Sequence, residues 1–174
     1  MERAARARVS VAWMRWRELT ALLCNSSIPI CHRARVYEAC IRSTMLYASE
    51  TWAVTCRVED VLVKCDRRML RRMCGVQLTD RVATEELLRR CGIVAVEVML
   101  RRRRLKWFGH VERRGVEDPL GRVQLVEAPG RRPRGRPKKT WRSTVEEDLV
   151  NYGLTADSAA DRGEWSAVIN RLTS

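Results

Sequence analysis

Apolar residues recur every three or four positions along most of this chain, which is the spacing of α-helices that bury one face. The pattern predicts a first helix over residues 9–24, a long second helix over 33–54 and a third over 58–74. Pro29 separates the first two, since proline disrupts a helix interior, and Gly75 is suited to end the third. The first half of the chain is therefore predicted to be helical.

The second half continues in the same way. A short helix is predicted to begin at Thr84, with acidic residues in its first turn, and to end at Gly92. Residues 94–113 fit a helix, although the alternation over 94–100 equally fits a short strand. We predict a helix, because residues 101–106 contain no β-branched side chain and arginine and lysine favour helices. Thr140 is predicted to cap a helix through Tyr152, and a last helical pair follows.

One stretch breaks this periodicity. Residues 115–137 hold four of the five prolines and four of the nine glycines, a composition that forms no core. The predicted fold class is therefore all-α: a disordered N-terminus over 1–8, a helical bundle over 9–114, a basic and largely unstructured linker over 115–139, and a small C-terminal helical tail over 140–174. No run of 18 or more apolar residues occurs, so no membrane partner is expected.

Charge then suggests a partner. The net charge is +13, and 15 of the 34 lysines and arginines lie between residues 101 and 142 against four acids. Such clustering favours nucleic acid, because each neutralised phosphate releases counterions; an anionic membrane surface is the weaker alternative. The candidate phosphate contacts on helices are Arg67, Arg68, Arg71, Arg72, Arg101, Arg102, Arg103, Arg104 and Lys106, and those in the linker are Arg131, Arg132, Arg134, Arg136, Lys138 and Lys139. A solvated basic face is the alternative interpretation of the arginines over 67–72.

Two short motifs have a sharper and a plainer interpretation. The segment Arg134-Gly135-Arg136-Pro137 resembles the core of an AT-hook, which lies in the narrow minor groove of A·T-rich DNA. The plainer interpretation is a basic linker that contacts phosphates only. Trp107 and Phe108 are able to stack on bases, but their helical periodicity favours core packing.

The sequence contains no catalytic or metal-binding motif. Seven cysteines occur singly, without a Cys-x-x-Cys pair, and the two histidines are far apart, so buried, reduced thiols are expected rather than a metal site. Such thiols indicate the nucleus or the cytoplasm rather than secretion. With no phosphate loop, nucleophile elbow or aspartate pair, no enzyme activity, cofactor or small-molecule substrate is expected of this chain alone.

Several ordered blocks resemble one family. They resemble the C-terminal part of the reverse transcriptases of LINE-type (non-LTR) retrotransposons, in the order Trp16-Arg17-Glu18-Leu19, Tyr37-Glu38-Ala39-Cys40-Ile41-Arg42-Ser43-Thr44-Met45-Leu46-Tyr47, Glu50-Thr51-Trp52-Ala53-Val54, Arg68-Met69-Leu70-Arg71-Arg72-Met73-Cys74-Gly75, Leu105-Lys106-Trp107-Phe108-Gly109-His110-Val111 and Gly135-Arg136-Pro137-Lys138-Lys139-Thr140-Trp141. The resemblance covers the chain from about Val9 to its end.

The resemblance implies a thumb-like helical bundle and a C-terminal extension that follow the catalytic palm. The Tyr/Phe-x-Asp-Asp block of the palm is missing, so it implies a non-catalytic fragment of an RNA-directed DNA polymerase. Its expected partner is an RNA/DNA duplex or DNA. The alternatives are a minor-groove DNA-binding protein that uses the AT-hook-like arm and an inert remnant of a degenerate element.

Overall fold

The computed structural model describes residues 1–115, 117–125 and 139–172. These residues form helices and contain no β-strand, so the predicted all-α class is confirmed. The α-helices are α1 (Glu2–Leu23), α2 (Ile30–Val36), α3 (Ser43–Met45), α4 (Cys56–Cys74), α5 (Thr84–Cys91), α6 (Val96–Glu112), α7 (Pro119–Leu125), α8 (Trp141–Asn151) and α9 (Arg162–Arg171). The helix predicted over 94–113, in preference to a strand, is confirmed by α6.

The chain divides into two compact units. The first comprises Met1–Ser49 and Val54–Leu100, and the second comprises Glu50–Ala53 and Arg101–Ser174. The division falls inside α6, whereas the sequence predicted one bundle over 9–114. Leu105 and Phe108, in the later turns of α6, belong to a hydrophobic cluster with residues of α8 and α9, which explains why α6 contributes to the second unit.

Helix α1 begins earlier than predicted. It starts at Glu2, so the structure corrects the expectation of a disordered segment over residues 1–8. Ala5 is fully buried, and Arg6 forms an i,i+4 ion pair with Glu2 at 2.8 Å. Burial of a small apolar side chain and pairing within the first turns stabilise a helical start that has few apolar residues of its own.

The long helix predicted over 33–54 is interrupted. A helical segment runs from Ile30 to Met45, but its central residues Tyr37–Arg42 form a π-helix. The segment ends soon afterwards, because Ala48 has a left-handed backbone conformation, with φ of 58°, that does not continue a right-handed helix.

The π-helix places two side chains on one buried acid. The Arg42 guanidinium, fully buried, donates from Nε and Nη2 to the two carboxylate oxygens of Asp66 at 2.8 Å each, and the Tyr37 hydroxyl donates to Asp66 Oδ1 at 2.7 Å. Arg42 Nη1 also donates to the backbone carbonyl of Val94. Because the hydrogen bonds of a π-helix close the turn over five residues rather than four, Tyr37 and Arg42 both reach the same carboxylate.

Helix α4 ends at Cys74, as its sequence predicts, and begins at Cys56, two residues before the predicted start. Thr55 caps its N-terminus by accepting a hydrogen bond from the Val58 N–H, and Gly75 ends it with φ of 67°. Its buried face comprises Val58, Leu62, Cys65, Asp66, Met69, Leu70 and Met73. Asp66 is the polar member of this stripe, and its pairing with Arg42 explains how the stripe accommodates a charge.

The second unit has a core of its own. Its buried residues are Leu105, Phe108, Val145, Leu149, Ala159, Trp165 and Ile169. The Trp165 indole N–H donates to the Leu105 backbone carbonyl at 3.0 Å and lies directly against Gly109. A Cβ atom at Gly109 would come within 2.2 Å of the indole nitrogen, so this contact between α6 and α9 requires glycine.

The segment predicted as an unstructured linker is partly helical. Helix α7 begins at Pro119, which occupies the first helical position, and the Asp118 carboxylate accepts from the Leu120 N–H at 2.9 Å. The structure therefore differs from the prediction for 115–139 over α7, while residues 126–138 lie outside the described part of the chain.

Candidate nucleic-acid interface

Two of the predicted arginines of α4 line a groove of the first unit. Arg68 and Arg72 lie one turn apart, off the buried stripe of α4 and exposed to solvent. Helix α1 forms the opposite side of this groove, which has a volume of about 660 Å³ and is lined by Trp13, Trp16, Arg17, Thr20, Cys24, Arg68 and Arg72. We call it the α1/α4 groove. Three of these residues are arginines and none is acidic.

Aromatic rings lie among these cations. The Arg72 guanidinium lies 5.2 Å from the centre of the Trp13 ring, within the range of a cation–π contact. Trp13 in turn packs edge to face against the buried Trp16, with ring centres 6.0 Å apart. The groove therefore combines fixed positive charge with a partly exposed aromatic ring, a pairing found in surfaces that bind nucleic acid.

The other two predicted arginines of α4 lie elsewhere. Arg67 is exposed but does not line the α1/α4 groove. Arg71 is half-buried and donates to the backbone carbonyls of Gln77 and Val82 at 3.1 and 2.6 Å. It thus holds the loop after α4, a role that the local sequence does not reveal because both carbonyls lie beyond the helix.

The cationic residues over 101–106 have different environments, and the prediction for Arg104 is wrong. Arg104 was predicted to contact phosphate, but its side chain is 4% exposed and its Nε donates to Asp148 at 2.6 Å. A guanidinium buried against a buried carboxylate is not available to a ligand. Arg102 donates to the Asn170 side chain at 2.7 Å, while Arg101 and Arg103 are half-buried and Lys106 is exposed.

The second unit contains a further cationic pocket, of about 490 Å³. Its lining residues are Lys106, His110, Arg113, Arg114, Arg162, Trp165, Ser166 and Ile169, with no acid among them. Burial and the charge of Arg102 lower the pKa of Lys106, as expected of an ammonium group in a positive field. Two of the pocket's cations are already engaged, since Arg113 donates to the Ala159 carbonyl and Arg114 pairs with Asp118.

Lys106 is the one cation of this pocket that the sequence analysis above names as a candidate. Lys106 and His110 lie four residues apart on α6 and therefore share a helix face, and Arg113 and Arg114 follow directly after the end of α6. Arg162 reaches the pocket from α9 and has no such local signal.

The two aromatic side chains of α6 have different roles. Phe108 is buried between Trp141 and Trp165, which confirms the prediction of core packing. Trp107 is half-buried and stacks on His110, with ring centres 5.2 Å apart. Adjacent helical residues face different directions, so only one of the pair reaches the core.

The candidate residues of the linker lie largely outside the described part of the chain. These are Arg131, Arg132, Arg134, Arg136 and Lys138, and the AT-hook-like segment is among them. Lys139 is described, and its ammonium pairs with Glu147 of α8.

In the described part of the chain, no group of three or more His, Cys, Asp or Glu side chains is placed to hold a metal ion. No helix there combines the length and the apolar character needed to cross a membrane. Comparison of the chain with protein-family models, characterised sequences and solved structures found no match.

Proposed function

We propose that this chain binds nucleic acid without catalysing a reaction, and that the α1/α4 groove holds the phosphate backbone. The composition of the groove carries the proposal: Arg17, Arg68 and Arg72 line it together with Trp13, and no carboxylate lines it in the described structure. Guanidinium groups pair bidentately with phosphate oxygens and remain charged at any physiological pH. Phosphate contacts of this kind give affinity with little dependence on base sequence.

The proposed origin of the chain is the thumb and C-terminal extension of a LINE-type reverse transcriptase. The ordered sequence blocks support this origin, and the all-α fold is of the kind that the resemblance implies. The genomic DNA upstream of the Met1 codon provides the test. An in-frame or frameshifted palm with a Tyr-x-Asp-Asp block is expected there, and unrelated DNA at every genomic copy would refute the origin.

Binding is tested by titration of the full chain into labelled duplexes, with fluorescence anisotropy as the readout. If roughly six phosphates are engaged, the affinity should fall about a thousandfold between 50 and 200 mM salt. An RNA/DNA hybrid and DNA duplexes of different sequence should bind with similar affinity. No binding to any duplex at 50 mM salt would refute the proposal.

A pair of double variants with matched charge locates the site. Arg68→Gln/Arg72→Gln removes two exposed cations of the groove, whereas Arg89→Gln/Arg90→Gln removes two cations of α5 that pair with Glu86 at 2.8 Å. We call the slope of the logarithm of the binding constant against the logarithm of salt concentration the salt slope. The groove variant should reduce the magnitude of the salt slope by about 2, and the α5 variant should leave it near that of the unmodified chain. An equal decrease of the salt slope in both variants would show that net charge alone governs binding.

The AT-hook-like segment supports a second candidate function, minor-groove DNA binding. Its basis is the sequence Arg134-Gly135-Arg136-Pro137, which fits a narrow groove because glycine adds no side chain. A preference for A·T-rich over G·C-rich duplexes that Arg136→Ala abolishes would favour this function. Equal affinity for the two duplexes would exclude it and leave the α1/α4 groove as the proposed interface.

A further inference from the structure

Two cysteines that are far apart in sequence meet in the first unit. Cys74 is the last residue of α4 and Cys91 is the last residue of α5, and their sulfur atoms lie 3.5 Å apart. Each is followed by a glycine with positive φ, Gly75 at 67° and Gly92 at 64°. Both helices therefore end in a left-handed turn directly beside the sulfur pair, which local sequence does not reveal because the two cysteines are 17 residues apart. The prediction of buried thiols is wrong for four other cysteines, which are exposed: Cys24, Cys31, Cys40 and Cys56.

The two thiols differ in access to solvent. Cys74 is partly exposed, whereas the Cys91 side chain belongs to the buried core of the unit. A solvent reagent can therefore reach Cys74 more readily, and Cys91 lies behind it within reach of the Cys74 sulfur. This arrangement is that of an attacking thiol and a resolving thiol.

The surroundings favour a thiolate at Cys74. A hydrogen bond with Cys91 and the charges of Arg33 and Arg90 lower the pKa of Cys74 against the opposing effect of burial. The hydrogen bond with Cys74 and burial raise the pKa of Cys91. A helix C-terminus normally disfavours an anion, but Arg33 donates to the Met73 carbonyl at 2.7 Å and offsets the negative end of α4.

We propose that Cys74 and Cys91 form a dithiol site that low-molecular-weight disulfides, such as oxidised glutathione, convert to an intrachain disulfide. Cys74, after losing its proton to water, attacks one sulfur of oxidised glutathione, forms a mixed disulfide and expels the other half as a thiolate. Cys91 then gives its proton to that thiolate and attacks the Cys74 sulfur, which releases the second glutathione as a thiolate that takes up the proton lost by Cys74. The protein loses two electrons and one glutathione disulfide becomes two thiols.

The sulfur atoms are close enough for this step to require only a local rearrangement. They must approach by about 1.5 Å, from 3.5 Å to a bond length near 2.05 Å. In a reducing compartment the disulfide would form transiently and be reversed by thiols. Neither Cys74 nor Cys91 lines the α1/α4 groove, and the proposal does not depend on nucleic-acid binding.

Peptide mapping of the full chain tests the proposal. Reduced protein is exposed to a series of glutathione redox buffers, remaining thiols are blocked with N-ethylmaleimide, and the chain is digested with trypsin without reduction. Trypsin places Cys74 in the peptide 73–81 and Cys91 in the peptide 91–101, each with a single cysteine. We expect these two peptides to be linked at least tenfold more often than any other pair.

Denatured protein provides the control for this experiment. In concentrated guanidinium chloride the preference for the 74–91 pair should disappear, because the fold no longer holds the sulfurs together. If native and denatured protein give the same distribution of linked peptides, the dithiol site does not exist. This comparison uses the unmodified chain, so it does not depend on whether a variant folds.

Substitution assigns the roles of the two sulfurs. In Cys91→Ser, glutathione should remain attached to the peptide 73–81, because no second thiol resolves the mixed disulfide. In the matched control Cys40→Ser, which removes an exposed cysteine, the 74–91 disulfide should form as before. Glutathione found on the exposed cysteines but not on Cys74 in Cys91→Ser would contradict the attacking role of Cys74.

Discussion

Substitution of Asp66 by asparagine tests the buried polar network of the first unit. The change keeps the size of the side chain but removes the charge that balances Arg42, whose side chain is 0% exposed. The remaining amide oxygen can still accept one hydrogen bond, either from Arg42 or from the Tyr37 hydroxyl. The substitution therefore leaves the buried guanidinium with the half-exposed carboxylate of Glu38, 3.5 Å from Nη1, as its remaining counter-charge.

The expected loss of stability is large. Removal of one partner of a buried ion pair costs about 3–5 kcal/mol, because the other charge stays desolvated and unpaired. Asp66 is 3% exposed and is held by two hydrogen bonds from Arg42, so solvent relieves little of this cost. A typical domain has a free energy of unfolding of about 5–15 kcal/mol, so Asp66→Asn should remove a large part of it.

Urea unfolding followed by far-UV circular dichroism measures the effect. At a slope near 2 kcal/mol per molar urea, a loss of about 4 kcal/mol lowers the unfolding midpoint by about 2 M. The control is Asp60→Asn, on the same helix, which disrupts the exposed pair with Lys64 at 3.7 Å. That change should cost less than about 1 kcal/mol.

Two outcomes would refute this reasoning. If Asp66→Asn moves the midpoint no more than Asp60→Asn, the Arg42 charge is screened in solution and the network is not buried as the structure describes. The double change Arg42→Met/Asp66→Leu should be more stable than Asp66→Asn, because an apolar pair leaves no charge unpaired. Equal instability of the two would show that packing, not charge, sets the cost.

Three further predictions address other contacts. Gly109→Ala should destabilise the second unit by about 1–3 kcal/mol in a urea titration, since the added methyl group collides with the Trp165 indole; unchanged stability would refute the contact. Arg104→Gln should lower the melting temperature, because the guanidinium is paired with the buried Asp148. The salt dependence of nucleic-acid binding should stay unchanged in this variant, and a weaker salt dependence would show that Arg104 contacts phosphate. Burial and the negative charge of Asp66 raise the pKa of Tyr37 well above 10, so the folded state keeps the phenol proton at a pH where the unfolded state has lost it. The free energy of unfolding should therefore fall as pH rises above about 10, more steeply in the unmodified chain than in Tyr37→Phe. If the urea midpoints of the two proteins change equally between about pH 9 and 11, this prediction is wrong.

The helices were predictable where local periodicity determined them. The stripe of α4 and its end at Gly75 follow from residues within one helix, and the α6 prediction rests on a run without β-branched side chains. The π-helix within the second helix was not predictable, because the residues at its two ends contact Asp66, which lies 24 residues beyond Arg42. A helical pattern contains no information about a distant partner of that kind.

The same limit applied to the candidate site. Arg68 and Arg104 look alike in sequence, since each lies in a run of arginines on a helix. One faces a groove, whereas the other pairs with Asp148, which lies 44 residues away. The sequence could show that cations cluster, but tertiary contacts decide which of them face solvent.

The contact between Gly109 and Trp165 makes the effects of substitutions at these two positions interdependent. The indole N–H donates to the carbonyl of Leu105, which in a regular helix already accepts from the N–H of Gly109. Glycine in a helix interior destabilises the fold by about 0.5–1 kcal/mol relative to alanine. At position 109 the absence of a side chain leaves the space that the Trp165 indole occupies. If Trp165 is first replaced by leucine, Gly109→Ala should change from destabilising to stabilising. A homologous chain that lost this tryptophan would therefore be under no constraint to keep the glycine.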